Sequence, residues 1–334
     1  MQLAIRKAQP DYSAVHLDTL LTTISVAYLQ DTNEFVADRI FPTVPVARKS
    51  DVFKVYRKED FMRAAARKRI GAVESAGGGF EFEPNKQYNC DVWSFHVDID
   101  DYTRANADPP IDVERDATEL ITRVLLLTRE KVWVDTAFTS GVWANEYVGV
   151  ASSPGAGQFL RWDNANSNPL GDVKQARLAI KATTGFLPNT LVLDERVYEA
   201  LFEHPQIVER IKYVQRALPG DLDDRALLAR AFRVQNVYVL GAVTATGPEN
   251  AATISYLSGK HAWLGYVAPR PGLLQPSAGY VFTWRLPGVP EGGRVAIERF
   301  RMPHLRADRL EANMAFDVKV VSADLGAFFQ DAIS

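Results

Sequence analysis

The chain has 334 residues, enough for one large domain or two modest ones. Hydrophobic residues make up 47% and charged residues 24%, the balance of an ordinary soluble globular protein. The formal net charge of -3 argues against a dedicated nucleic-acid binder, which carries a basic excess. Cys90 is the single cysteine, so no intramolecular disulfide can form and stability must come from packing and association. The opening MQLAIRKAQPDYSAVH lacks the apolar core of a secretory signal. There is no run of about 18 apolar residues to cross a membrane, so folding in cytoplasm, with no membrane partner, is expected.

Residues 1–47 read as an N-terminal arm. Residues 1–20 are polar and contain Pro10, which fits either a draped segment or plain disorder at a terminus. Leu20 to Val46 mixes short apolar runs with Pro42 and Pro45 and suggests extended, poorly self-packed chain.

Residues 48–101 organise everything else. An outgoing leg, Val52-Phe53-Lys54-Val55-Tyr56-Arg57, and a returning leg, Phe80-Glu81-Phe82-Glu83 and then Tyr88 to Ile99, flank Ser75-Ala76-Gly77-Gly78-Gly79. The glycines cannot hold a helix and accept positive φ, so they read as a hairpin tip. The pattern predicts a two-stranded arm; about 15 paired residues per leg would reach roughly 50 Å. A lone ribbon is marginal in water, and this one has too few bulky residues to bury its own faces. It is expected to lie on another copy of the same chain. Arg48 to Arg69 holds nine cations against three acids, a net +6. Phosphate binding, a charged guard on a free strand edge and docking onto acidic patches of a neighbouring copy all fit that charge.

The next element is helical. Asp108 or Asp112 can cap it, and Pro109-Pro110 suits its first turn. Val113, Ala117, Leu120, Ile121, Val124, Leu127, Val134 and Phe138 recur at spacings near three and four, giving one apolar face. The run 111–140 is free of Gly and Pro and predicts a helix of roughly 42 Å. Leu125-Leu126-Leu127 and Val132-Trp133-Val134 break a heptad and widen that face, so it should pack on a sheet. Residues 141–170 read as loop from their Asn, Gly and Pro density, and 102–187 is taken as one unit. Asp172 to Thr183 is a predicted helix stopped by Gly185. From 188 to 293 a compact α/β unit is expected: strands at Thr190–Leu193, Val237–Leu240, Ala262–Val267 and Tyr280–Arg285, helices at Glu195–Phe202, Gln206–Tyr213 and Asp221–Phe232. In 294–334, Val295–Arg301 and Leu310–Val321 alternate at period two, and Asp324 to Ile333 reads as a closing helix.

Catalytic patterns are missing. The triple glycine lacks a following Lys-Ser/Thr, so it is not a phosphate loop. There is no Ser nucleophile elbow, HExxH or CxxC. His16, His96, His204, His261 and His304 are scattered. Asp98, Asp100 and Asp101 could bind a hard cation, but without a fuller ligand loop a polar strand end feeding a turn is much the better reading. Cys90 reads as a small strand residue. No cofactor, metal or catalytic residue is expected.

The arm and its flanks carry a resemblance. Leu21-Thr22-Thr23-Ile24-Ser25-Val26-Ala27-Tyr28, Phe35-Val36-Ala37-Asp38-Arg39-Ile40-Phe41-Pro42, Val44-Pro45-Val46, Tyr56-Arg57-Lys58-Glu59-Asp60-Phe61, Glu74-Ser75-Ala76-Gly77-Gly78-Gly79, Tyr88-Asn89-Cys90-Asp91, Asp98-Ile99-Asp100-Asp101 and Arg104-Ala105-Asn106 follow in an order and spacing that resemble the major capsid proteins of tailed double-stranded DNA phages. These have the Hong Kong 97-type fold. The resemblance covers about the first third of the chain.

It implies an α+β fold with an N-arm (1–47), an extended β-hairpin arm or E-loop (48–101), a peripheral domain with a spine helix (102–187), an axial α/β domain (188–293) and a return to the peripheral domain (294–334). It implies self-assembly into hexamers and pentamers of an icosahedral head around double-stranded DNA held without sequence specificity, built in the bacterial cytoplasm and ending in the virion. A slightly acidic wall suits that task. Portal and decoration proteins are implied partners. With no scaffolding leader before the pattern begins, a separate scaffolding protein is expected. Docking becomes the leading reading of the basic leg, carried by Phe53, Tyr56, Arg57, Phe61, Arg63, Arg67, Phe80 and Phe82. The polar turn with Pro219, Gly220, Asp221, Asp223 and Asp224 is assigned to the capsomer axis. Some members form Lys–Asn crosslinks; Lys54, Lys58, Lys68 or Lys86 could supply the amine, but no Asn and Glu match that pattern, so none is expected. An encapsulin-like cargo shell and a soluble α/β enzyme are the alternatives.

Overall fold

The structure is a computed structural model and describes residues 34–69, 74–83, 86–107, 112–217, 223–248, 252–272, 275–285 and 295–334. Most of the N-terminal arm, the candidate caps at 108–110 and the turn residues Pro219, Gly220 and Asp221 lie outside them.

The chain opens with α1 (Ala37–Ile40), β1 (Thr43–Val46), β2 (Ser50–Val52), β3 (Val55–Tyr56), the single turn α2 (Lys58–Phe61), β4 (Phe82–Glu83), β5 (Gln87–Asn89) and β6 (Asp91–Asp100). The short α3 (Asp101–Ala105) precedes the long α4 (Val113–Ala137), and then come β7 (Asn145–Val150), β8 (Gln158–Leu160), α5 (Pro169–Thr184) and β9 (Thr190–Asp194). Next are α6 (Glu195–Glu203), α7 (Pro205–Ala217), α8 (Asp224–Phe232), β10 (Asn236–Leu240), β11 (Val243–Thr246), β12 (Thr253–Tyr256) and β13 (Ala262–Gly265). The chain finishes with β14 (Gly279–Trp284), β15 (Ala296–Met302), β16 (Ala307–Val320), a 3-10 turn at Ala323–Leu325 and β17 (Gly326–Gln330).

Two larger sheets sandwich α4. In the five-stranded sheet, β16 pairs antiparallel with β6, β14 and β15, and β1 adds to β14 in parallel. Leu310, Ala312, Met314, Phe316 and Val318 alternate along β16 onto one face, where Ala117, Ile121 and Leu125 of α4 meet them. Of the two returning strands, β16 lies against the helix, while β15 pairs with β16 and leaves Ile297 to Arg301 exposed. The second sheet runs β10-β9-β13-β17-β7-β8. Its alternation serves two cores: Val192, Trp263 and Phe328 face α4, while Leu191, Leu193, Ala262, Leu264, Ala327 and Phe329 face α5 to α8. Strands buried on both faces need such continuous apolar runs.

Local chemistry sets the ends. Asp112 caps α4 by accepting from Arg115 N at 3.2 Å, and Glu114 and Asp116 suit the positive end of the helix dipole. Gly185 stops α5 at φ +78, a left-handed cap that a side chain would strain. Gly279 lets Phe41 lie on β14, because a Cβ there would come 2.4 Å from the ring. Glu130, 1% exposed in α4, accepts from Val36 N and Ala37 N at 3.1 and 2.8 Å and so fixes the start of α1.

Several expectations are corrected. The predicted 15-residue legs pair over three residues in β2–β5 and two in β3–β4. The stretch from Asp91 onward, taken as part of the returning leg, is β6 and pairs with β16 over ten residues, because a full sheet buries more than a ribbon. The predicted helix at Asp324–Ile333 is the 3-10 turn and β17: Ala327, Phe328 and Phe329 bury on alternating sides, which a strand does and a helix does not. Residues 141–170 are not all loop, since β7 and β8 extend the second sheet beyond β17. Tyr280–Arg285, expected in the 188–293 unit, forms β14 in the five-stranded sheet, and β17 of the 294–334 segment belongs to the six-stranded one. Leu120, expected on the apolar face of the long helix, is exposed.

Candidate functional site

The arm is rooted on its own sheet. Phe53 and Tyr88 place their rings 5.2 and 4.7 Å from that of Phe282 on β14, and Cys90, fully buried beside them, donates its S–H to Phe282 O at 3.5 Å. Burial, then the nearby Asp317 carboxylate, pushes the Cys90 thiol up to about 12, so it is an inert packing residue. Phe53 is thus held inside its own chain, apart from the other aromatic residues assigned to docking.

Those others converge. Tyr56 lies at the centre, with ring centroids of Phe61, Phe80 and Phe82 at 5.5, 5.5 and 4.7 Å. Phe80 sits 5.8 Å from Phe82 and 6.4 Å from Phe61. Polar contacts hold the two legs in this register. Arg57 N donates to Glu81 O, its guanidinium pairs with the Glu81 carboxylate at 2.5 Å, and Glu81 N donates to Asp60 at 2.8 Å. Lys54 Nζ stands 4.8 Å from the Phe82 ring centre, a cation–π distance. Despite this packing, Phe61 and Phe80 are each 59% exposed and Phe82 37%. Met62 beside them is exposed too. Beyond the cluster the arm touches its own body sparingly, through a Lys58–Asp324 ion pair and Met62 near Gly185. Arg63 and Arg67 are exposed and have no ion pair among the described residues. The site is an exposed apolar knob on a cationic stem.

The acidic residues near the strand end are engaged by groups of their own chain. Asp98 takes a bidentate pair from Arg309 at 2.6 and 2.7 Å, Asp101 takes one from Arg301 at 2.6 Å, and Asp100 caps α3 through Thr103. Asp308, on β16, gathers Arg104, Arg299 and Arg301, and the hydrogen bonds from Arg299 and then Arg301 hold its carboxyl well below the usual range. This network stitches β6, α3, β15 and β16 together. No cluster of three or more metal-type ligands occurs among the described residues. Asp223 and Asp224 open α8, exposed and separate from the arm.

Sequence reasoning missed Glu130 and Asp308. Glu130 was visible as an acid inside the apolar stripe of α4, between Leu127 and Val134. Asp308 had no signal, because its three partners come from two other elements, α3 and β15.

No protein-family model matches the chain. A curated relative, the major capsid protein of Burkholderia phage BcepMu, is 27% identical over 287 residues, covering 82% of this chain and 85% of the relative. Among solved structures, a phage-related protein from Bordetella bronchiseptica superposes with a TM-score of 0.66 at 21% identity, over 91% of this chain and 94% of that one. The capsid of cyanophage P-SCSP1u gives 0.58 at 11% identity, over 98% and 96%. The SrpI encapsulin complex of Synechococcus elongatus gives 0.52 at 11%, over 97% and 96%. The likeness to phage major capsid proteins that the arm motifs suggested is thus met in both sequence and fold: the chain has the α+β, Hong Kong 97-type fold of capsid shells.

Proposed function

We propose that this chain is the structural subunit of a phage head, self-assembling into hexamers and pentamers of an icosahedral shell around double-stranded DNA. The observation that carries the reading is the exposed Tyr56–Phe61–Phe80–Phe82 knob on a chain whose fold is that of capsid shells. The knob, with Arg57, Arg63 and Arg67, docks on a sister subunit, while Phe53 anchors the arm at home. Asp223 and Asp224, at the start of α8, are assigned to the capsomer axis. A separate scaffolding protein, a portal and a decoration protein are the partners this role calls for, and host cytoplasm is where assembly takes place. The role is structural and needs no catalysis.

Electron microscopy of the protein, expressed alone or with its neighbouring genes, tests this. Icosahedral particles or tubes are expected; a compact monomer at all concentrations overturns it. The encapsulin match supports a second reading, a cargo shell. Nuclease-protected DNA inside purified particles favours the phage head, and an enclosed protein favours the cargo shell.

A further inference from the structure

β11 and β12 form a ribbon that joins neither large sheet. Their register pairs Val243 with Tyr256 and Ala245 with Ile254, so these four side chains share one face. Thr244, Thr246, Thr253 and Ser255 share the other. Strict alternation of this kind belongs to a strand pair with one face buried. Yet Ile254 is 71% exposed and Ala245 is exposed with it. Free edges are ordinarily guarded by charge, and the eight strand residues carry none.

The ribbon is firmly presented. Tyr256 lies over the Arg196 guanidinium at 4.8 Å, and Arg196 is gripped by the fully buried Asp194 at 2.9 Å. Ser258 donates to the same carboxylate at 2.6 Å, and Leu257 N donates to Ala242 O at 3.0 Å. A surface ordered in advance loses less entropy when it is covered.

The surroundings indicate what covers it. Glu34 and Glu195 both lie against Gly241 at the ribbon base, and Glu199 follows one turn along α6. Burial, then the Glu34 and Glu199 charges, pushes the Glu195 carboxyl up. An apolar face beside a group of acids that outnumbers its nearby cations, Arg196 and Arg225, fits a surface that is apolar and cationic. This sequence supplies one: residues 48–69 carry +6, leaving -9 on the rest, and the arm bears the exposed aromatic knob. The chain's own arm is tied at Asp324, just before Gly326, which is level with Gly265 and, through it, Thr190. That is the opposite end of the six-stranded sheet from Asp194 and the ribbon. Knob and ribbon therefore sit at opposite ends of one sheet, an arrangement for head-to-tail contact that can close into a ring.

We infer that a second copy of this chain covers the apolar face of the β11–β12 ribbon. The inference rests on the shell reading above. It is tested by placing the photo-crosslinking residue p-benzoylphenylalanine at position 254 of the full chain and irradiating assembled particles. Covalent dimers on denaturing electrophoresis are expected, with the linked peptide mapping to a second chain. Ile254→Lys is expected to cut particle yield at least tenfold and leave the thermal melt of the unassembled chain unchanged. If particles form but residue 254 links only within its own chain or to nothing, or if the lysine variant assembles at full yield, the inference falls and the shell reading stands. A chain that never assembles overturns both.

Discussion

Glu130 shows how one side chain can couple a fold to pH. It is buried yet supplied with two backbone N–H donors, and burial is the larger influence, pushing its carboxyl up to about 7. In an unfolded chain the same group ionises near 4.3. Between those values the folded chain keeps a proton that the unfolded chain has released. Its contribution to stability is fully present below about pH 4.3 and is lost as pH rises through about 7, on the order of 3 kcal/mol in all. Glu130→Gln cannot ionise. Urea unfolding at pH 5 and pH 8 should show wild type losing roughly 2–3 kcal/mol more than the variant over that interval; equal losses would show that Glu130 does not titrate there. The sequence offered part of this, since an acid in an apolar helical stripe is conspicuous. Its partners were not legible, because Val36 and Ala37 act through backbone N–H groups, which every residue has.

At the scale of elements, long and periodic patterns were the readable ones. α4 and β16 each repeat their apolar residues often enough to fix both type and face. Short apolar runs were not: Gly326–Gln330 has too few residues to separate period two from period 3.6, and only its place between β13 and β7 makes it a strand. The β11–β12 ribbon escaped notice for the same reason. The arm was legible as an element but not in its pairing, since residues 91–100 could join a ribbon or a sheet and the sheet buries more. Its function can be tested apart from its fold. Phe61, Phe80 and Phe82 contact mainly one another and Tyr56, so Phe61→Ala should leave a folded subunit and lower shell yield. Interface aromatics of this kind contribute about 2 kcal/mol or more each. The triple Phe61→Ala, Phe80→Ala, Phe82→Ala variant should abolish particles in sedimentation while keeping the wild-type circular dichroism spectrum; normal particles would show that the knob is not a clasp.

For the whole molecule, charge is divided between a +6 segment and a body of -9. Contacts between such regions on separate copies steer association and are screened by salt. Assembly followed by light scattering should therefore slow several-fold between about 50 and 500 mM salt. A rate indifferent to salt would leave the arm's cations without a docking role. The fold itself was suggested by the first third of the sequence and is met over nearly the whole chain in the cyanophage capsid. What no motif could announce was the position of β17. It lies in the middle of the six-stranded sheet, with β13 on one side and β7 on the other. A ribosome must pass residue 330 before that gap can be filled. Until then no strand joins the β9, β10 and β13 half to the β7 and β8 half. A chain cut short of β17 is thus left with its six-stranded sheet split down the middle, a defect at the centre of the fold and not at its edge.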